Sequence, residues 1–118
     1  MKIDFNNLDI KEIKEFKGGL GELLLKKFED ESCKIMRSTL TKGSTIGLHK
    51  HEDDCEILYI LSGKGYAVCD GKREDLSKGI VHYCPKDYEH TVINTGDTNL
   101  EMYAIVIKEK IIKKGEKI

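Results

Sequence analysis

From residue 22 onward, apolar positions recur at alternate residues in short runs, and polar, glycine-rich breaks separate the runs. That period belongs to strands, whose side chains alternate between two faces. The runs cover 22–28, 33–41, 45–51, 55–61, 66–69, 72–76, 80–84, 89–93 and 100–108. Asp70-Gly71 between two of them is a strong two-residue hairpin signal. Pro85 ends the run 80–84, because proline has no ladder donor to offer. Many short strands at close spacing predict an all-β sandwich or barrel. One departure precedes them: Asp9 can cap a short N-terminal helix running to about Phe16, stopped by Gly18-Gly19.

Some runs are apolar on both faces. Leu58 and Ile60 share a side with Glu56, while Ile57, Tyr59 and Leu61 share the other. The run 100–107 behaves likewise. A barrel strand wetted on its outside should alternate cleanly. Something must cover these outer faces: the N-terminal segment, a second sheet or another subunit. A homodimer is the expected partner state.

Polar residues inside this pattern carry the chemistry. His49 and His51 lie two apart, so a strand turns both imidazoles to one face. Glu56 heads the next apolar run, and His90 sits in a later one. Imidazole nitrogens with one carboxylate oxygen suit one divalent first-row ion: iron, manganese, nickel, cobalt or zinc. Arg37 stands opposite Met36, Ser38 and Leu40 in its run. Facing the barrel lumen, it would clamp a substrate carboxylate. His82 is a second candidate for substrate contact, set against a purely structural role.

Composition narrows the setting. The chain has 118 residues, which suits one domain. Lys plus Arg is 20 and Asp plus Glu is 21, a net charge of -1, so no basic excess points to nucleic acid. The longest apolar runs, 57–61 and 102–107, are too short to span a bilayer. The acidic, polar start lacks an apolar leader, so a cytoplasmic protein is expected. Cys33, Cys55, Cys69 and Cys84 form no C-x-x-C pair and are expected reduced. A basic C-terminal tail, 109–118, is expected to be solvated.

Two segments together resemble the cupins. The first family motif runs glycine, His-x-His, Glu, glycine, and here it reads Gly43, His49, His51, Glu56 and Gly63. The second runs glycine, Pro-x-Gly, His, Asn, and here it reads Gly79, Pro85, Asp87, His90 and Asn94. The one departure is Asp87 in place of glycine, a residue that tolerates positive φ better than most. The short gap between the motifs resembles compact bacterial single-domain cupins. The resemblance implies a jelly-roll β-barrel (a double-stranded β-helix) over 22–108, with 1–21 as an N-terminal extension. It implies His49, His51, Glu56 and His90 as ligands of one metal, with open positions for a small-molecule ligand. Similar cupins include dioxygenases, sugar isomerases, epimerases, lyases and decarboxylases, and also sensing or storage domains. Two classes therefore stay open: a metalloenzyme acting on a small polar or anionic metabolite, with Glu56 able to move a proton, or a non-catalytic binding domain for a small molecule or sugar.

Overall fold

A computed structural model describes residues 1–109. Ten strands follow in order: β1 Lys11–Lys14, β2 Glu22–Glu29, β3 Cys33–Leu40, β4 Thr45–Lys50, β5 Asp54–Ser62, β6 Gly65–Cys69, β7 Lys72–Leu76, β8 Val81–Cys84, β9 Glu89–Asn94 and β10 Leu100–Lys108. They form a six-stranded sheet, β1-β2-β3-β10-β5-β8, and a four-stranded sheet, β4-β9-β6-β7. Every pairing is antiparallel. The all-β expectation holds, and the two sheets close on each other as the β-barrel that the resemblance implies. Residues 110–118, most of the expected tail, lie outside the described residues.

Alternation builds the core. On β10, Leu100, Met102, Ala104 and Val106 are buried, and Leu58 and Ile60 of β5 join them on the same face. Val92, Ile46 and Ala67 close over them from the smaller sheet. Asp70 and Gly71 have φ 46° and 78°, the left-handed pair that a tight hairpin demands. Asp70 also accepts a hydrogen bond from the Glu89 amide at 2.9 Å, which ties the hairpin to the strand that carries His90. Asp87 has φ 69°, so aspartate does supply the left-handed turn where the family motif has glycine. Asn94 shapes its own turn. It is buried, it donates to the carbonyls of Leu40, Thr41 and Thr98, and it accepts from the Gly96 amide.

The N-terminal helix is not there. Residues 11–14 are a strand paired with β2, with Ile13 opposite Leu23 and packed on the core. The segment between Asp9 and Gly18-Gly19 serves an edge strand and a turn instead. Glu15 and Lys17 take φ 52° and 56°, which no α-helix allows, and a 3-10 turn, Phe16–Gly18, follows. This turn lies on β4 so closely that Gly19 and Gly47 meet backbone to backbone. A Cβ on Gly47 would run into the Lys17 carbonyl oxygen. Gly47→Ala is therefore expected to cost about 1–3 kcal/mol, the range for overpacking. Chemical denaturation with an unchanged m value would check it.

The outer face of the larger sheet is partly covered. Phe5, in a 3-10 turn capped by the Asp4 carboxylate, stacks on Tyr103 with ring centroids 5.9 Å apart. Tyr59, Val81, Tyr83 and Ile107 remain exposed on the same side.

Candidate metal centre

His49 and His90 stand directly opposite each other in the β4–β9 ladder, beside an irregularity between Ile46 and His49. His51 follows the last residue of β4. Its amide donates to the Tyr88 carbonyl, and its carbonyl accepts from the Asp87 amide, so the left-handed turn at Asp87 helps hold it. Glu56 reaches across from β5, on the inner face of the other sheet. The four side chains singled out in the sequence thus meet between the sheets at one end of the barrel. One donor atom from each lies within 4.8 Å of all the others.

The distances suit an ion. His90 Nε2 is 3.0 Å from His51 Nε2, 3.1 Å from His49 Nε2 and 3.1 Å from Glu56 Oε1. Two donors at right angles on a cation, each about 2.1 Å from it, stand about 3 Å apart. His90 sits in that relation to all three partners.

The outer nitrogens fix the tautomers. His49 Nδ1 is 2.8 Å from the Gly47 carbonyl, an acceptor only. His51 Nδ1 is 2.6 Å from Asp54 Oδ1. His90 Nδ1 is 2.9 Å from His82 Nε2, and His82 Nδ1 is 2.6 Å from Glu74 Oε1. An ionised carboxylate only accepts, so His82 donates to Glu74 and accepts from His90. Each of the three imidazoles therefore carries its proton on Nδ1, and each turns an Nε2 lone pair inward toward the Glu56 carboxylate. Lone pairs and a carboxylate facing one point repel one another unless a cation lies among them. The residues present fit a divalent ion.

Electrostatics agree. Without an ion a second proton can take its place on Nε2: burial pushes the Glu56 carboxyl up, but hydrogen bonds from His51 and His90 so protonated outweigh it and hold the pKa at about 2. Hydrogen bonding to Glu56 raises His51, against burial and with help from Asp54. Burial lowers His49 and His82. A proton on His51 must leave before Nε2 can ligate. Because the pKa of His51 is raised, that competition begins at a higher pH than for an ordinary histidine. Zinc affinity is therefore expected to fall as pH drops through and below the His51 pKa, by about tenfold per pH unit per displaced proton. Calorimetry in buffers of different ionisation enthalpy would count the proton released.

The two other site candidates lie elsewhere. Arg37 faces out of the barrel. Its Nη1 pairs with Glu101 Oε2 at 2.6 Å, and it lies over the Tyr103 ring, so it does not reach the cluster. His82 is buried behind His90 and takes no part in lining the cavity that opens on the cluster. Two residues of this centre escaped the sequence reading. Asp54, the first residue of β5, holds His51. Glu74, in a charged hairpin strand, anchors His82. The cysteines are all free thiols. Cys69 pairs with His90 and Cys84 with Glu56 in the ladders, and both are buried filler beneath the ligands.

A cavity of about 520 Å³ opens on the four donors. Leu25, Met36, Leu58, Met102 and Ala104 wall it, with Ile13 and Phe16 on the β1 side. Lys17, Lys34 and Lys50 also line it, together with Glu52 and Asp53.

Residues 36–106 match the sequence profile of the cupin domain. This chain is a cupin. Among its relatives is an oxalate-binding protein of Thermotoga maritima, 38% identical over 101 residues, covering 80% of this chain and 84% of that one. A crystal structure of a predicted oxalate decarboxylase, also from Thermotoga maritima, superposes with a TM-score of 0.85 at 32% identity, over 92% of this cupin and 99% of that chain. The cupin domain of Cnp3 from Schizosaccharomyces pombe superposes with a TM-score of 0.76 at 14% identity, over 92% and 74%. That last likeness is one of fold alone.

Proposed function

We propose that this cupin holds one divalent ion through His49, His51, Glu56 and His90 and is an enzyme acting on a small carboxylate that reaches the ion directly. The observation that carries the reading is the convergence of the four donor atoms with every imidazole proton turned outward. Bound there, the cation supplies Lewis acidity and one or two open positions. The chain's own groups do the rest. Lys17, Lys34 and Lys50 draw an anion toward the cavity. The apolar walls exclude water. Glu56, when displaced from the ion, is the carboxylate placed to take or return a proton. The oxalate-binding relative and the predicted oxalate decarboxylase support a carboxylate as ligand, with oxalate as the first probe.

The test is metal analysis of untagged protein, then oxalate calorimetry with and without metal, then product assays with and without oxygen. Oxalate binding that ignores the metal would refute the reading. Binding without turnover is a second reading, and one observation favours it. The other carboxylates lining the cavity are Asp54, engaged by His51, and the exposed Glu52 and Asp53. No separate acid is buried beside the donors among the described residues.

The exposed Tyr59, Val81, Tyr83 and Ile107 support a homodimer built on the outer face of the larger sheet. Sedimentation is expected to give a dimer, and Tyr83→Glu, 54% exposed, a monomer. A wild-type monomer at micromolar concentration would refute it. No helix among the described residues is long and apolar enough to cross a membrane. Four free thiols fit a reducing, cytoplasmic setting.

A further inference from the structure

The ladders map the cavity wall step by step. At the level of the donors, Glu56 pairs with Val106, and Val106 with Lys34. One step deeper are Leu58, Ala104 and Met36. A further step brings Ile60, Met102 and Ser38. On β5 the lining runs from Glu56 to Leu58, and on β10 it reaches Met102. On the facing sheet, Val92 and Ile46 continue the lining. Behind the donors the wall on β5 and β10 is apolar, while beside it Lys27 of β2 pairs with Met36 and Ser38 follows one step on. That residue is buried and lines the cavity.

Such a space does not suit a two-carbon dianion alone. About 520 Å³ lies within the usual range of about 300–1,000 Å³ for pockets that enclose drug-sized ligands. Oxalate at the donors would leave the apolar part to water, which finds few partners against leucine and methionine walls. A vicinal oxygen pair fits the open positions of the ion, and a hydrocarbon body fits the wall behind it.

We infer that the ligand of this centre is an amphipathic carboxylate: a 2-oxo or 2-hydroxy acid whose head chelates the ion and whose aliphatic or aromatic body fills the chamber walled by Met36, Leu58, Met102 and Ala104. This rests on the metal reading above and specifies its substrate class. Each methylene buried in the chamber tightens binding about fourfold.

The probes are oxalate, pyruvate, 4-methyl-2-oxopentanoate and phenylpyruvate, titrated into zinc-loaded protein, since zinc brings no redox chemistry. The branched acid is expected to bind at least tenfold tighter than pyruvate. A second measurement needs no variant. With methionine methyls labelled, Met36 and Met102 signals are expected to shift on adding the branched acid and to stay put with oxalate. Ala104→Leu, checked for zinc stoichiometry, is expected to bind pyruvate and the branched acid alike. Zinc-dependent binding of oxalate and pyruvate, with the longer acids no tighter and the methionine methyls unmoved, would overturn the inference and leave the metal reading standing. A protein that takes up no zinc, or binds the acids equally without it, would overturn both.

Discussion

Replacing His51 by alanine is expected to strip the protein of its divalent ion while the barrel stays folded. His51 is 8% exposed, and its Nε2 lies 3.0 Å from His90 Nε2 and 3.5 Å from Glu56 Oε1. The substitution removes a donor from the centre of the cluster. It also frees Asp54 and takes away the largest of the influences that hold the Glu56 carboxyl low. Burial of Glu56 is then opposed by His90 without the help of His51. Loss of an outer hydrogen-bond partner alone costs about 10–100-fold in metal affinity. Loss of a ligand together with its support should exceed that. The check is metal content after dialysis against a chelator, beside a thermal melt of the metal-free form. Full occupancy in the variant would remove His51 from the ligand set. Glu56→Gln should behave differently. It keeps the shape and one oxygen donor, so turnover should fall further than metal binding or stability.

Most of the barrel was legible because its strands are short, strongly alternating and separated by turn residues with a mechanism. Asp70-Gly71, Pro85 and the glycine turns set boundaries that the structure repeats within a residue or so. The donor set was legible for the same reason: a fixed alternation converts spacing into facing. The N-terminal segment failed on both counts. Ile10, Ile13 and Phe16 fall at helical spacing, yet the strand that pairs with Ile13 lies across a turn in which Glu15 and Lys17 take left-handed angles. Residue type does not announce such angles for glutamate or lysine. Arg37 was ambiguous by parity, and register decided it: Arg37 pairs with Tyr103 on the outer face. Glu74 could not be read from the sequence at all. It lies in the exposed-looking run Lys72-Arg73-Glu74-Asp75, and only the meeting of β7 with the His82 side chain makes it part of the centre.

That meeting leads to the second large expected effect. Glu74, His82 and His90 form a directed chain: the carboxylate accepts from His82 Nδ1, and His82 Nε2 accepts from His90 Nδ1. His82 is 1% exposed and His90 0%, so no solvent replaces either partner. His82→Ala would leave the His90 Nδ1 proton without an acceptor. The imidazole could then place its proton on Nε2, the atom that faces the other donors. Metal affinity is expected to fall about 10–100-fold, the range for the outer partner of a ligating histidine. A packing defect alone could lower stability, so the decisive readout is the tautomer. In the wild-type protein, nitrogen shifts should report His90 protonated at Nδ1, and in His82→Ala a mixture with the Nε2 form. His82→Gln should restore both tautomer and affinity in part, since its amide can accept from His90 and donate toward Glu74. An alanine variant that loses stability but keeps the His90 tautomer and the metal affinity would reduce His82 to core filling. Retention of both in His82→Gln, with loss in His82→Ala, would show that the direction of the hydrogen bonds carries the effect.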